Sequence, residues 1–196
     1  VGQDFLRVDG EGYRLRKDAD VYLDLSSIAK GYAVDEVARW LTGEGVEHYL
    51  VDVGGEMRLS GLSPRGDSWR VAIEQPQLGA VGIAQAIEVG NVGVATSGDY
   101  RNFFEVDGVR YSHTIDPRSG LPVAHELVSV TVVHPSTMMA DAWATALTVL
   151  GADDAFSVAQ AQGLAVYLIQ RDGEGFSTRY SEAFAPYLTD ISVPQQ

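Results

Sequence analysis

The stretch FFEVDGVRYSHTIDPRSG, residues 103–120, decides what kind of sheet this chain builds. Its Asp107-Gly108 dipeptide separates two alternating runs, FFEV at 103–106 and VRYSHTI at 109–115, and such a pair is what a tight antiparallel hairpin needs. Asp116-Pro117-Arg118-Ser119-Gly120 then forms a second turn. Alternation along the strand puts Tyr111, His113 and Ile115 on one face, so His113 is expected among apolar neighbours. It also stands at a strand end beside a rigid turn, where functional groups tend to be displayed.

Working outward, strands are expected near 4–9, 13–16, 20–25, 47–53, 56–60, 69–75, 84–89, 92–96, 102–106, 109–115, 127–134, 164–170 and 176–180. Helices are expected at 27–42, 136–150 and 153–162. Runs of strands joined by tight turns and broken by few helices predict an α+β fold, a largely antiparallel sheet with packed helices. The segment LSPRGDS at 62–68 reads as a polar loop, and its Arg-Gly-Asp triplet as part of that turn.

Two helices carry polar residues that need an explanation. If Ser136 caps the 136–150 helix, the 3.6-residue period aligns Thr137, Asp141, Ala144, Thr145 and Thr148 in one stripe. The rest of the helix is apolar almost all round, which predicts burial. A carboxylate there is costly unless it is paired or bound to a cation, and Thr145 at i+4 offers a second oxygen on the same face. Two oxygens from one helix suit Mg²⁺, which keeps several waters and accepts phosphate oxygens. A structural hydrogen bond to a neighbouring segment is the plain alternative for Asp141.

The 27–42 helix follows VYLDL at 21–25, with Ser26 or Ser27 as its N-cap and Gly43 past its end. Ala33, Val37, Trp40 and Leu41, flanked by Val34 and Ala38, give it a core face. Lys30 and Gly31 fall in the first turn, where free N–H groups, the dipole and the ammonium suit an anion and glycine permits close approach. An ordinary surface lysine is the bland reading of the same residues.

Taken together, DLSSIAKGYAVD at 24–35, LVDVGGEMRLSG at 50–61, ATSGDYRNFFEVDGVRYSHTIDPRSGLPV at 95–123 and ADAWATALTVLG at 140–151 resemble the ApbE family of flavin transferases. The likeness is collinear from about residue 20 to about residue 170. It implies an ApbE-like, T-fold-like α+β architecture and Mg²⁺-dependent transfer of FMN from FAD to a Ser or Thr hydroxyl of a partner protein, with release of AMP. FAD hydrolysis to FMN and AMP, or flavin binding without turnover, are the alternatives. By resemblance, the Ala29 carbonyl, Asp141 and Thr145 hold Mg²⁺. Lys30, His113 and Thr114 belong to the FAD site, with His113 the candidate catalytic residue. The acceptor is expected to be a membrane redox subunit, and the full-length protein periplasmic or anchored facing outward. Family members carry a substantial segment before the D-L-x-x-I-A-K-G motif, whereas 23 residues precede it here. Residues 1–196 are therefore expected to form one ApbE-like domain lacking that N-terminal segment.

Composition agrees with one globular unit. At 196 residues, 45% of them hydrophobic, the chain can bury a sizeable core. Without cysteine there are no disulfides or thiolate metal sites. A net charge of −13 disfavours nucleic acid, which is bound through dense Lys/Arg surfaces. It also means that a pyrophosphate ligand needs a local cation and Lys30 to reverse the field. No stretch reads as a signal peptide or a membrane span.

Overall fold

The computed structural model describes residues 3–76, 82–98, 103–106 and 109–190. A short hairpin, β1 (Leu6–Asp9) and β2 (Arg14–Lys17), leads into α1 (Ser26–Gly43). Next come β3 (Tyr49–Val53), β4 (Glu56–Ser60), β5 (Trp69–Gln75), β6 (Gly82–Val89), β7 (Gly93–Gly98), β8 (Phe103–Val106) and β9 (Val109–Ser112). The small pair β10 (Ile115–Asp116) and β11 (Leu121–Pro122) precedes β12 (Leu127–His134), α2 (Thr137–Leu150) and α3 (Ala152–Ala161). β13 (Ala165–Asp172), β14 (Gly175–Tyr180) and β15 (Leu188–Thr189) complete the order, and no helix among the described residues is long and apolar enough to cross a membrane.

A six-stranded sheet in the order β14-β13-β12-β7-β4-β3 is the centre of the molecule, and every pairing in it is antiparallel. The α+β expectation therefore holds. One face is covered by the three-stranded sheet β15-β6-β5, and Leu59, Ile73, Ile87, Val94, Tyr167, Ile169 and Phe184 fill the space between. The other face carries α2 and α3, with Val130, Val132, Ala140, Ala144, Leu147, Ala155 and Leu168 in the core. β13 shows how sequence makes this possible: Ala165, Tyr167 and Ile169 point to one core, Val166 and Leu168 to the other. A bulge in β12 between Leu127 and Ser129 inserts Val128 into the first core without disturbing the alternation beyond it.

α1 lies beside α2 and packs on β3 through Val34, Ala38 and Val51. This differs from the core face expected from the sequence. Val37 and Trp40 are 43% and 63% exposed, because Gly31, not the bulkier positions, faces α2. A Cβ on Gly31 would fall 2.5 Å from the Thr137 carbonyl oxygen, so the helices meet at a spacing only glycine allows.

Two strand expectations are corrected. Residues 21–25 form no strand, since the chain turns there through Lys17 Nζ donating to the Val21 carbonyl at 2.7 Å and enters the helix at Ser26. The single strand expected over 109–115 breaks after Ser112, whose hydroxyl accepts the Thr114 N–H at 3.1 Å, and pairing resumes at Ile115 with Pro122. β8 and β9 pair as the hairpin required, while the Asp107-Gly108 turn and the Tyr111 side chain lie outside the described residues.

Candidate functional site

Where α1 begins, four other segments converge around a cleft of about 720 Å³. Its lining includes Asp24, Ser27 and Lys30 from the start of α1, Glu56 from β4, and Thr96 and Ser97 from β7. His113 and Thr114 enter from the break after β9, and Asp141 and Thr145 from α2. Five of the six residues singled out from the sequence thus share one cavity, drawn from positions 30 to 145. Ala29 is the exception: it is exposed on the first turn of α1 and does not line the cleft, whereas Ser27 does.

The two helix N-termini are built to hold that convergence. α2 starts on Ser136, whose hydroxyl accepts the Met139 N–H at 3.4 Å and donates to Asp35 of α1 at 2.7 Å. Asp35 in turn accepts the Thr137 and Met138 N–H groups at 2.9 and 3.0 Å, so the first three donors of α2 are satisfied and the helix is tied to α1. Burial works to raise the Asp35 carboxyl, yet the Ser136 hydroxyl and the two N–H groups outweigh it and hold the group below the usual carboxylate range. α1 itself starts one residue earlier than Ser27. Its N-cap position is Leu25, and Asp24 does the capping work by accepting the Ser26 N–H at 2.8 Å and the Ser26 hydroxyl.

Asp141 is 5% exposed and receives the Gly31 N–H at 2.9 Å. Burial pushes its carboxyl above the usual range, against the Gly31 N–H and the nearby Lys30 charge. In an α-helix the N–H of residue 31 belongs to the carbonyl of residue 27. Here that N–H also reaches the Asp141 carboxylate, which ties the first turn of α1 to α2. Lys30 Nζ lies 2.6 Å from Glu56 Oε1. Burial raises the Glu56 carboxyl as well, opposed by Lys30 and reinforced by repulsion from Asp141.

His113 is exposed at the cleft and does not pack in the core, because the break after Ser112 releases it from the strand alternation that would have buried it. The segment carrying it is anchored at both ends. Val123 N–H donates to the Thr114 carbonyl at 3.0 Å, and His125 Nε2 donates to the Thr148 carbonyl at 2.8 Å on the last turn of α2. Asp116, held low by the Arg118 guanidinium and N–H, stiffens the turn between.

Asp24, Glu56, Thr96 and Ser97 were not singled out from the sequence. For Glu56 a signal existed: Gly54 and Gly55, both with positive φ, form a two-residue hairpin turn, and a charged residue stands directly after it at the start of a strand. For Thr96 and Ser97, ordinary β-strand residues, none did.

The polar side chains that α2 presents to the cleft, Asp141 and Thr145, offer oxygens, and among the described residues no three His, Cys, Asp or Glu side chains cluster to hold a metal ion. A buried carboxylate with one N–H partner and a threonine hydroxyl one turn on fit a hard divalent cation that keeps waters and takes phosphate oxygens.

This architecture is shared by solved flavin transferases. The flavin transferase ApbE of Vibrio cholerae superposes with a TM-score of 0.86 at 44% identity, over 96% of this chain and 59% of that one. The ApbE protein of Thermotoga maritima gives 0.84 at 31% identity, over 97% and 61%. The chain belongs to the ApbE family, whose family model matches residues 1–168. The FAD:protein FMN transferase of Vibrio cholerae is 48% identical over 180 residues, 91% of this chain and 54% of that protein. That of Salmonella typhimurium is 44% identical over 183 residues, 92% and 52%. The chain spans about half the length of these relatives.

Proposed function

We propose that this chain carries the metal and phosphate side of a Mg²⁺-dependent FAD:protein FMN transferase. The observation that carries the reading is the convergence of Lys30, His113, Thr114, Asp141 and Thr145 on one cleft, in a chain whose relatives bear that name. Asp141 and Thr145 would hold the cation together with a carbonyl from the start of α1. The family resemblance assigns that carbonyl to Ala29, on the same first turn of α1 as Ser27 and Lys30, which line the cleft. A bound Mg²⁺ supplies charge neutralisation at the pyrophosphate.

The chain's own residues do the rest. Lys30 binds a phosphate oxygen, and the first turn of α1 adds its dipole. Thr114 and His113 orient the flavin-side phosphate. The acceptor hydroxyl oxygen forms a bond to the flavin-side phosphorus, the bridging P–O bond breaks, AMP leaves, and the hydroxyl proton passes to an imidazole nitrogen of His113. Imidazole can accept and return a proton near neutral pH, which suits that position. The acceptor is a Ser- or Thr-bearing segment of a membrane redox subunit on the outward side of the membrane.

Incubation with FAD, Mg²⁺ and an acceptor peptide tests this. A mass gain of one FMN less one water on the peptide, with stoichiometric AMP, is the expected result. Free FMN with an unmodified acceptor would mean hydrolysis instead, and neither product would overturn the reading.

A further inference from the structure

The Lys30 ammonium does not face the cleft alone. Glu56 is 2% exposed, its Oε1 lies 2.6 Å from Lys30 Nζ, and its Oε2 is buried with no hydrogen-bond partner. A buried carboxylate with one oxygen unsatisfied is costly. The Gly54-Gly55 turn sets the start of β4 beside the lysine stem, where a Cβ on Gly54 would be in ordinary contact with Lys30 Cδ at 3.6 Å. Meanwhile Lys30 is 46% exposed and lines the cleft, as Glu56 and Asp141 do. In their ionised forms these three side chains sum to −1, so the ammonium is already spoken for before any anion arrives.

We propose that Glu56 is a positioning residue: it holds Lys30 against the cleft wall and competes with the incoming phosphate for its charge, so that this competition sets the phosphate affinity of the site. The inference rests on Lys30 as the phosphate partner in the reading above. In it Glu56 touches neither the cation nor the reacting atoms. It acts through the lysine, fixing where the ammonium stands and how much of its charge a ligand can use.

The chain contains two lysines, Lys17 and Lys30, which makes the test direct. Labelling with [13Cε]lysine gives two side-chain resonances, assigned with Lys30→Met. Glu56→Gln keeps the side-chain shape and removes the charge. It should move the Lys30 resonance, leave that of Lys17 in place, and bind inorganic pyrophosphate with Mg²⁺ about tenfold more tightly by calorimetry, because an ammonium released from Glu56 attracts an anion more strongly. Glu56→Asp, with the charge on a shorter arm, should move the resonance and leave the affinity near that of the unsubstituted chain. A merely structural carboxylate would lower the melting temperature without raising pyrophosphate affinity. A Lys30 resonance unmoved in both variants overturns the inference, as does a Glu56→Gln chain that binds pyrophosphate no more tightly than the original. If the unsubstituted chain binds no pyrophosphate while Glu56→Gln still moves the resonance, the phosphate role of Lys30 falls, and with it the competition, while the Glu56 contact stands.

Discussion

Asp141 and Asp35 are carboxylates on neighbouring helices, and their surroundings push them in opposite directions. Asp141 has one N–H donor for its burial and is raised; Asp35 has three donors and is lowered. For Asp141→Ala we expect Mg²⁺ binding by calorimetry to disappear while the melting temperature changes by no more than about 2–4 °C, since the lost Gly31 hydrogen bond is offset by relief of carboxylate desolvation. Unchanged Mg²⁺ affinity would end the metal assignment. Asp35→Ala should cost roughly 1–2 kcal/mol, as three donors at the start of α2 lose their acceptor. The sign of its pH dependence follows from the lowered carboxyl. The stabilisation is complete above the unfolded value of roughly 3.9 and drains away as pH falls through the lower folded value. The stability difference between Asp35→Ala and the original chain should therefore narrow below about pH 4 in denaturant titrations. His113→Asn should reduce turnover by roughly 10²–10⁴-fold with little change in melting temperature, because the side chain is exposed. Normal turnover, or an unfolded variant, would remove His113 from the mechanism.

At the scale of elements, the crossing of α1 and α2 is the joint on which the cleft depends. Gly31 serves it twice, by lacking a Cβ where the Thr137 carbonyl approaches and by giving its N–H to Asp141. Gly93 repeats the device beneath the same turn: a Cβ there would lie 2.6 Å from Thr137 Oγ1. Backbone on the far side of the contact cannot swing away as a side-chain tip can, so Gly31→Ala must separate the helices. We expect it to destabilise the chain by about 1–3 kcal/mol and to weaken Mg²⁺ binding, although alanine is the better helix former. A stabilised Gly31→Ala chain with full Mg²⁺ affinity would show that the helices have room to spare.

Across the whole molecule, the two-sided sheet turns five separated segments into one cavity. Ligands that engage α1 and α2 together should stabilise the fold as a unit. Mg²⁺ with pyrophosphate at a hundred times the dissociation constant should add about 2.7 kcal/mol, or ~5–10 °C in melting temperature. The same mixture should not shift Asp141→Ala. A shift of equal size in that variant would place the ligands somewhere other than this cleft.

The sequence by itself determined the antiparallel character of the sheet, the three helices and most strand positions to within a few residues, because hairpin turns, period-2 alternation and Ser136 as a cap are local physics. It also aligned Asp141 with Thr145, since that needs only the helical period. What it misjudged were matters of packing. Val37 and Trp40 look like core by periodicity, but a single close approach at Gly31 rotates α1 so that Val34 and Ala38 are buried instead. His113 looks like a strand residue facing inward, but Ser112 hydrogen-bonds the Thr114 N–H and ends the strand one residue before it. Glu56, Thr96 and Ser97 reach the cleft through register between strands distant in sequence, and Gly31 gives its N–H to a carboxylate 110 positions away. Such contacts are set by the approach of whole elements, which depends on the sum of their packed faces and leaves no mark on the local spacing of residues.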